Sequence, residues 1–256
     1  MSADRRRWLK GAGASLAGLW LAACDRLNET PAVRATLARA ERLTFKVQRA
    51  TTDRMALARE YPPQAISADF RANGSISPGD ADYRALLAND FRDWRLVIDG
   101  LVSKPLSLSL AELRAQPSRS QITRHDCVEG WSSIGKWTGT RLGPLLDRAG
   151  LSEQARFIVF HCYDTLDPAA GANGRYYESL DLIDAYHPQT ILAYAMNDAA
   201  LPVKHGAPAR LRVERQLGYK QAKYLMRIEA VADLAHISGG NGGFWEDRGY
   251  EWFAGI

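Results

Sequence analysis

Cysteine is scarce in this sequence. Three residues of 256, Cys24, Cys127 and Cys162, are too few for a disulfide framework, and no two stand at the Cys-x-x-Cys spacing of a zinc site or redox disulfide. Neither a Cys-x-x-Cys-His haem signature nor an iron–sulfur spacing occurs, so any electrons the chain handles are exchanged with a separate carrier. Long apolar runs are missing too: residues 11–23 are thirteen mostly small or apolar positions, short of the roughly 20 that cross a bilayer. Charge is close to balanced. The formal value is +4, but Arg5, Arg6, Arg7 and Lys10 against Asp4 carry +3 of it, and the rest of the chain holds 29 basic against 28 acidic residues. That excludes the extended basic face of a nucleic-acid binder. With 46% apolar and 24% charged residues, and no repeat or low-complexity linker, what remains is an ordinary globular chain.

The basic run Arg5-Arg6-Arg7-Trp8-Leu9-Lys10 ahead of the short apolar stretch reads as a signal peptide over residues 1–23. It resembles the twin-arginine export motif, with the Sec route as the competing address. Leu21-Ala22-Ala23-Cys24 resembles the bacterial lipoprotein box, in which Cys24 becomes the lipid-bearing first residue, and Asp25 resembles the signal that retains such proteins at the inner membrane. The resemblance implies a protein exported by the twin-arginine route and held on the periplasmic side of the bacterial inner membrane through lipidated Cys24. Export in the folded state commonly serves a cofactor inserted beforehand.

Residues 24–68 read as a tether and first helix: Thr30-Pro31 is an N-cap with proline at the first helical position, Val33, Leu37, Ala40 and Leu43 recur near helical spacing, and Tyr61-Pro62-Pro63 stops it. Residues 69–256 form the main domain. Strands fit 94–100, 121–124, 157–162, 209–213 and 224–230, and helices fit 142–149 and 179–185. Ser109 three residues before Glu112 is a capping-box start for a further short helix. Strands and short helices mix without a βαβ rhythm, so the expected class is α+β in a single unit of mixed sheets.

Chemistry concentrates in Arg124-His125-Asp126-Cys127-Val128-Glu129-Gly130-Trp131-Ser132. Arg124 and His125 supply a positive neighbourhood that would lower the Cys127 thiol pKa. Three roles suit such a residue: a buried structural cysteine, a Cys/His nucleophile for acyl chemistry, or the single protein ligand of a metal whose other ligands come from a cofactor. The residues alone leave these open.

This segment, with Lys136-Trp137-Thr138-Gly139 after it, resembles the molybdenum-ligand region of the sulfite oxidase family of molybdopterin-binding oxidoreductases. The Cys-Val-Glu-Gly-Trp form is similar to the periplasmic methionine sulfoxide reductase branch rather than to sulfite oxidases proper. The likeness continues through Tyr176-Tyr177-Glu178-Ser179, His187-Pro188-Gln189-Thr190, Gly206-Ala207-Pro208-Ala209-Arg210, Gln216-Leu217-Gly218-Tyr219-Lys220 and Trp245-Glu246-Asp247-Arg248-Gly249-Tyr250. It implies a sulfite-oxidase-type molybdopterin-binding domain with molybdenum, one pterin per metal, and Cys127 as the metal ligand.

Further roles follow from the resemblance. Asn73 matches the asparagine that begins the first pterin contact, and Cys162 falls near the family's contact threonine. His205 stands where the sulfoxide reductases place an asparagine, Arg210 matches their cofactor arginine, and Gln221-Ala222-Lys223 falls on their phosphate contact. Lys220 lies in the same turn, so His205, Arg210, Lys220 and Lys223 are expected on one side as donors to the pterin phosphate. Glu129 resembles an active-site glutamate that relays protons, and Arg124 joins it as a catalytic candidate. Trp131, Trp137, Phe244, Trp245, Tyr250 and Trp252 are candidates for an apolar rim.

The expected reaction is two-electron oxygen-atom transfer at a sulfur centre, as reduction of a small or protein-bound S-oxide. Sulfite oxidation and a non-catalytic lipoprotein of the same fold are the alternatives. A complete sulfite oxidase carries a further immunoglobulin-like dimerisation domain, which is not expected here. The expected partners are a cytochrome or membrane electron carrier, the membrane itself through Cys24, and no nucleic acid.

Overall fold

The structure is a computed structural model that describes residues 30–256. The signal peptide, the twin-arginine pair and Cys24 lie outside the described residues. Two compact units divide after Asp53, the second running from Arg54 to Ile256. Among the described residues no helix is long and apolar enough to cross a membrane.

The first unit contributes helix α1, Pro31–Thr51, with proline in its first turn as expected. It ends ten residues before the Tyr61-Pro62-Pro63 stop, because Thr52 is already extended. Residues 54–61 instead join the second unit: Ala58 N–H donates to Gln189 Oε1 (2.8 Å) and Tyr61 N–H to Ile122 O (2.9 Å).

The second unit is built on two sheets. Ordered across the first are β2 (Leu106–Ser109), β1 (Arg95–Gly100), β10 (Leu225–Val231), β5 (Phe157–Thr165) and β6 (Arg175–Asp181). Only β1 and β10 pair in parallel in this sheet, with Val97 opposite Arg227. Across the second run β3 (Ser118–Asp126), β4 (Ser132–Arg141), β7 (Ile191–Met196) and β8 (Ala199–Ala200), with β9 (Arg210–Arg212) also on β7. Helix α2 (Ala81–Ala88) precedes β1, and α3 (Leu110–Arg114), α4 (Leu142–Ala149) and α5 (Leu182–Ala185) sit between strands. The α+β expectation holds.

Local chemistry explains several of these elements. Ser109 accepts from Glu112 N–H while Glu112 accepts from Ser109 N–H, the reciprocal cap that starts α3. Helix α4 buries Leu142, Leu145, Leu146 and Ala149 on one face and stops at Gly150, whose φ of +69° is the left-handed turn-off that glycine adopts at least cost. The expected helix over 179–185 is half strand: β6 runs through Asp181, its Leu180 opposite Ile158 of β5, and the helix begins only where the Asp181 carboxylate caps Asp184 N–H.

The main core takes the alternating faces of the first sheet, Leu96 and Ile98, Ile158 and Phe160, Leu225 and Ile228, against α4. A smaller cluster of Phe70, Trp137, Ile191, Ala193, Met196 and Leu201 lies at the second sheet. The ends of β3, β5 and β10 leave the segments that carry the candidate chemistry.

Candidate functional site

Strand β3 ends at Asp126 and β4 starts at Ser132, so Cys127 occupies the loop of a hairpin. Cys127 N–H donates to Trp131 O (3.0 Å), Gly130 N–H donates to Cys127 O (3.0 Å), and Gly130 takes φ +84°. The loop is thus fixed by its backbone, with the half-buried Cys127 side chain facing a cavity of about 170 Å³. Cys127, Val128 and Glu129 form one wall. Asn73 and Gly74 come from the loop before α2, Asp164 and Leu166 from the end of β5, and Tyr176 from β6. Tyr219, Gln221 and Lys223 come from the turn before β10, and Trp245 and Tyr250 from the C-terminal segment.

Buried cations stand behind this cavity. Arg210 is fully buried: Nη1 donates to His205 O (3.0 Å), Nη2 to Gln221 O (3.0 Å), and Nε has no partner. Burial, then the neighbouring Arg212, brings its pKa down to about 9. Lys223 Nζ donates to Asn73 O (2.6 Å), Ser75 O and Lys204 O (3.3 Å), all neutral carbonyls. Burial and the Arg210 charge bring it down to about 7. His205 leaves its buried Nδ1 unpartnered, and burial followed by Arg210 takes it to about 4. Asn73 Oδ1 is likewise buried without a partner. Gly206 makes the cluster possible: a Cβ there would meet Lys223 Cβ at 3.0 Å and Arg210 Cβ at 3.1 Å. Among the described residues no carboxylate is hydrogen-bonded to Arg210 or Lys223. A buried anion with several acceptor oxygens, such as a phosphate, fits the unpartnered Arg210 Nε and the two cationic charges that neutral carbonyls leave uncompensated.

The structure brings together Asn73, Cys127, Glu129 and Lys223 on the cavity, with His205 and Arg210 behind it. It does not bring three others there. Lys220 is fully buried, but its Nζ donates to both Glu178 and Glu246 Oε1 (2.6 Å to the latter), so its ammonium is neutralised away from the cavity. Arg124 pairs with Asp126 (Nε to Oδ2, 2.9 Å) and faces a separate small cavity with Tyr61 and Glu214. Cys162 is buried in the main core, and burial holds its thiol well above the ordinary range. The expected lowering of the Cys127 pKa is also corrected. His125 is buried against Arg212 (Nδ1 to Nη1, 3.1 Å), where burial keeps its pKa well below the usual value, so it supplies no charge, and burial raises the Cys127 thiol.

Glu129 is half exposed, accepts from Trp131 Nε1 (2.9 Å) and lies 3.8 Å from Arg71. Of the aromatic candidates, Trp245 and Tyr250 reach the cavity, stacked at 5.3 Å and 28°. Trp137 is a core residue under the guanidiniums of Arg210 and Arg212, and Trp252 lies beside Lys220. Asp164 and Leu166 line the cavity without a signal in the sequence, and Asp164 is the polar one. It accepts from Ser75 Oγ (2.6 Å), and burial raises its pKa. Among the described residues no three His, Cys, Asp or Glu side chains converge as a metal site.

The depressed Lys223 pKa has a measurable consequence. A lysine at about 7 when folded and 10.5 when unfolded binds more protons in the unfolded state between those values, so stability rises with pH across that window. Melting of cofactor-free protein is expected to shift upward from pH 7 to 9, by up to about 1.4 kcal/mol per pH unit. Lys223→Met is expected to flatten that rise; an identical profile in the variant would assign it to another group.

A family model described as an oxidoreductase molybdopterin binding domain matches residues 84–236. Its limits leave out two cavity segments, Asn73–Gly74 and Trp245–Tyr250. The chain is 36% identical over 241 residues to a protein of Azospira oryzae provisionally named protein-methionine-sulfoxide reductase subunit YedZ1, covering 94% of this chain and 84% of that one. It is 34% identical over 154 residues to the protein-methionine-sulfoxide reductase catalytic subunit MsrP of Campylobacter jejuni, covering 56% and 51%. The chain thus spans about half the length of that relative. Among solved structures, the sulfane dehydrogenase SoxCD of Paracoccus pantotrophus is similar over 56% of this chain and 39% of its own, with TM-score 0.49 and 24% identity.

Proposed function

The chain belongs to the family of oxidoreductases with a molybdopterin binding domain, and we propose that it holds molybdenum and one pterin at Cys127 and reduces a sulfoxide to its thioether. The overall change is R–S(=O)–R′ + 2 electrons + 2 protons to R–S–R′ + water, the electrons coming from a separate cytochrome or membrane carrier. The observation that carries this reading is one half-buried thiol facing a cavity backed by buried cations that no carboxylate hydrogen-bonds. The names of the relatives, sulfoxide reductase subunits both, support the direction of the reaction.

When bound, the cofactor supplies a two-electron centre that takes up an oxygen atom. Every other part falls to the chain. Cys127 is the thiolate ligand, and its proton leaves on binding. Arg210 and Lys223 hold the pterin phosphate, with the unpartnered His205 Nδ1 and Asn73 Oδ1 taking up the polar atoms beside it. Glu129, steadied by Trp131 and Arg71 at the cavity mouth, would hold and pass protons between solvent and the cavity. Val128, Leu166 and the Trp245–Tyr250 stack take the apolar arms of the substrate and exclude water from the thiol side. The exported protein works on the periplasmic face of the inner membrane, joined to it through Cys24.

Metal analysis and turnover of protein made in a host that supplies the cofactor test this reading. Molybdenum in stoichiometric amount, with electrons consumed on adding methionine sulfoxide or small S-oxides, is the expected result. Sulfite oxidation without sulfoxide turnover reverses the assigned direction, and protein free of molybdenum under those conditions removes the enzyme reading altogether.

A further inference from the structure

Helix α1 has no buried residue along its 21 positions. Leu37, Leu43 and Val47 are 54%, 63% and 51% exposed, three of the large apolar side chains the described chain leaves in the open. At 100° per residue they fall with Val33 and Ala40 into a single stripe. Thr36, Thr44 and Thr51 interleave in the same stripe, and each hydroxyl donates to the carbonyl four residues earlier, at 2.9, 3.0 and 2.8 Å. The hydroxyls are therefore satisfied within the helix, and the threonines add methyl groups to the face. No charged residue interrupts it.

Charge lies alongside. Arg39, Arg42, Lys46 and Arg49 follow one another at spacings of three and four, adjacent to the apolar stripe; with Arg34, and against Glu41 alone, the helix carries +4. Residues 52–256 hold 23 basic and 25 acidic residues, a balance of −2. Net positive charge in the described chain thus lies in this one amphipathic segment, which is too polar to span a bilayer.

We infer that α1 lies flat on an anionic lipid bilayer, its Val33 to Val47 stripe at the acyl boundary and its arginines and lysine among the headgroup phosphates. A second copy of the helix fits less well: two +4 helices repel, and the stripe has Ala40 and Thr44 where a coiled-coil seam needs large apolar layers. A polyanion such as nucleic acid would answer the charge but has no use for the apolar stripe. The inference is independent of the reaction assigned above. It gives the membrane a hold on the chain that does not need a lipid on Cys24.

The test uses the full chain bearing Cys24→Ser, sedimented with phosphatidylcholine vesicles with and without about 30% phosphatidylglycerol. Partition to the anionic vesicles is expected to exceed that to the neutral ones by about tenfold and to fall as salt is added. Both the triple variant Leu37→Ser/Leu43→Ser/Val47→Ser and the triple variant Arg39→Gln/Arg42→Gln/Lys46→Gln are expected to lose about tenfold, with the melting transition of the second unit unchanged. Equal partition to both vesicles overturns the inference. So does a loss confined to the charge variant, which marks a polyanion site, or vesicle-free self-association abolished by the apolar variant, which marks a second copy.

Discussion

Cys127→Ser protein is expected to fold, retain its pterin and lose sulfoxide turnover by more than the roughly 10–100-fold that removal of an outer-sphere partner costs at a metal site. The fold survives because the loop is closed by backbone bonds, Cys127 N–H to Trp131 O and Gly130 N–H to Cys127 O, which make no use of sulfur. Turnover is lost because a serine hydroxyl is a harder and far less acidic donor than a thiol, even one whose pKa burial raises, so neither the softness nor the acidity of the ligand is reproduced. Retention of the pterin rests on other groups: the donor set around Arg210 and Lys223 lies at the back of the cavity. Arg210→Met is accordingly expected to show the opposite split, protein that loses cofactor on gel filtration while Cys127 stays intact. The two variants are compared by molybdenum content, pterin fluorescence after release, and turnover. Cys127→Ser protein that keeps activity within about tenfold of the parent would remove the thiolate from the chemistry.

How much of the fold and site is legible in the sequence differs from residue to residue. Helix α4 was legible to its ends, because Leu142, Leu145, Leu146 and Ala149 mark one face and Gly150 ends it. Strand β4 was not: Ser132, Ser133, Gly135, Lys136, Thr138, Gly139 and Thr140 carry little apolar alternation, and its pairing with β3 and β7 decides the matter. Gly139 even has to be glycine for that pairing, since a Cβ would meet Leu192 O at 2.3 Å. At the site, Cys127 stood out through an ordered set of motifs. Asp164 did not, because an aspartate at a strand end reads as solvated until the cavity around it is seen. Lys220 and Lys223 are three residues apart in one basic-looking turn, and no property of sequence separates them. The 3-10 turn Gly218–Lys220 sends Lys220 to Glu178 and Glu246, while the backbone beyond it carries Lys223 to the carbonyls of Asn73 and Ser75.

That separation makes Lys220 a stability residue with a large expected effect. The side chains of Lys220, Glu178 and Glu246 are each at most 1% exposed, and among the described residues the ammonium is the one cation bonded to both carboxylates. Burial works against the Lys220 charge, yet Glu178 and Glu246 together hold its pKa above the ordinary lysine value, while burial and the Glu246 charge push Glu178 well above the ordinary carboxylate range. Lys220→Met leaves two buried carboxylates facing each other. The expected loss is about 3–5 kcal/mol, which for a unit of this size lowers Tm by roughly 6–20 °C. The sign of the pH dependence distinguishes charge from packing. Without the lysine, a glutamate whose folded pKa lies above its unfolded one contributes stability that is present at low pH and lost as pH rises through the folded value, so the variant's deficit is expected to shrink toward pH 5. A cavity left by the lysine stem would cost the same at every pH. Adding Glu178→Gln and Glu246→Gln to Lys220→Met is expected to restore most of the lost Tm, since a buried ionic cluster contributes far less in total than the loss of one member suggests. A deficit independent of pH and untouched by those two changes would mean that Lys220 acts through volume, and that the charges beside it are incidental.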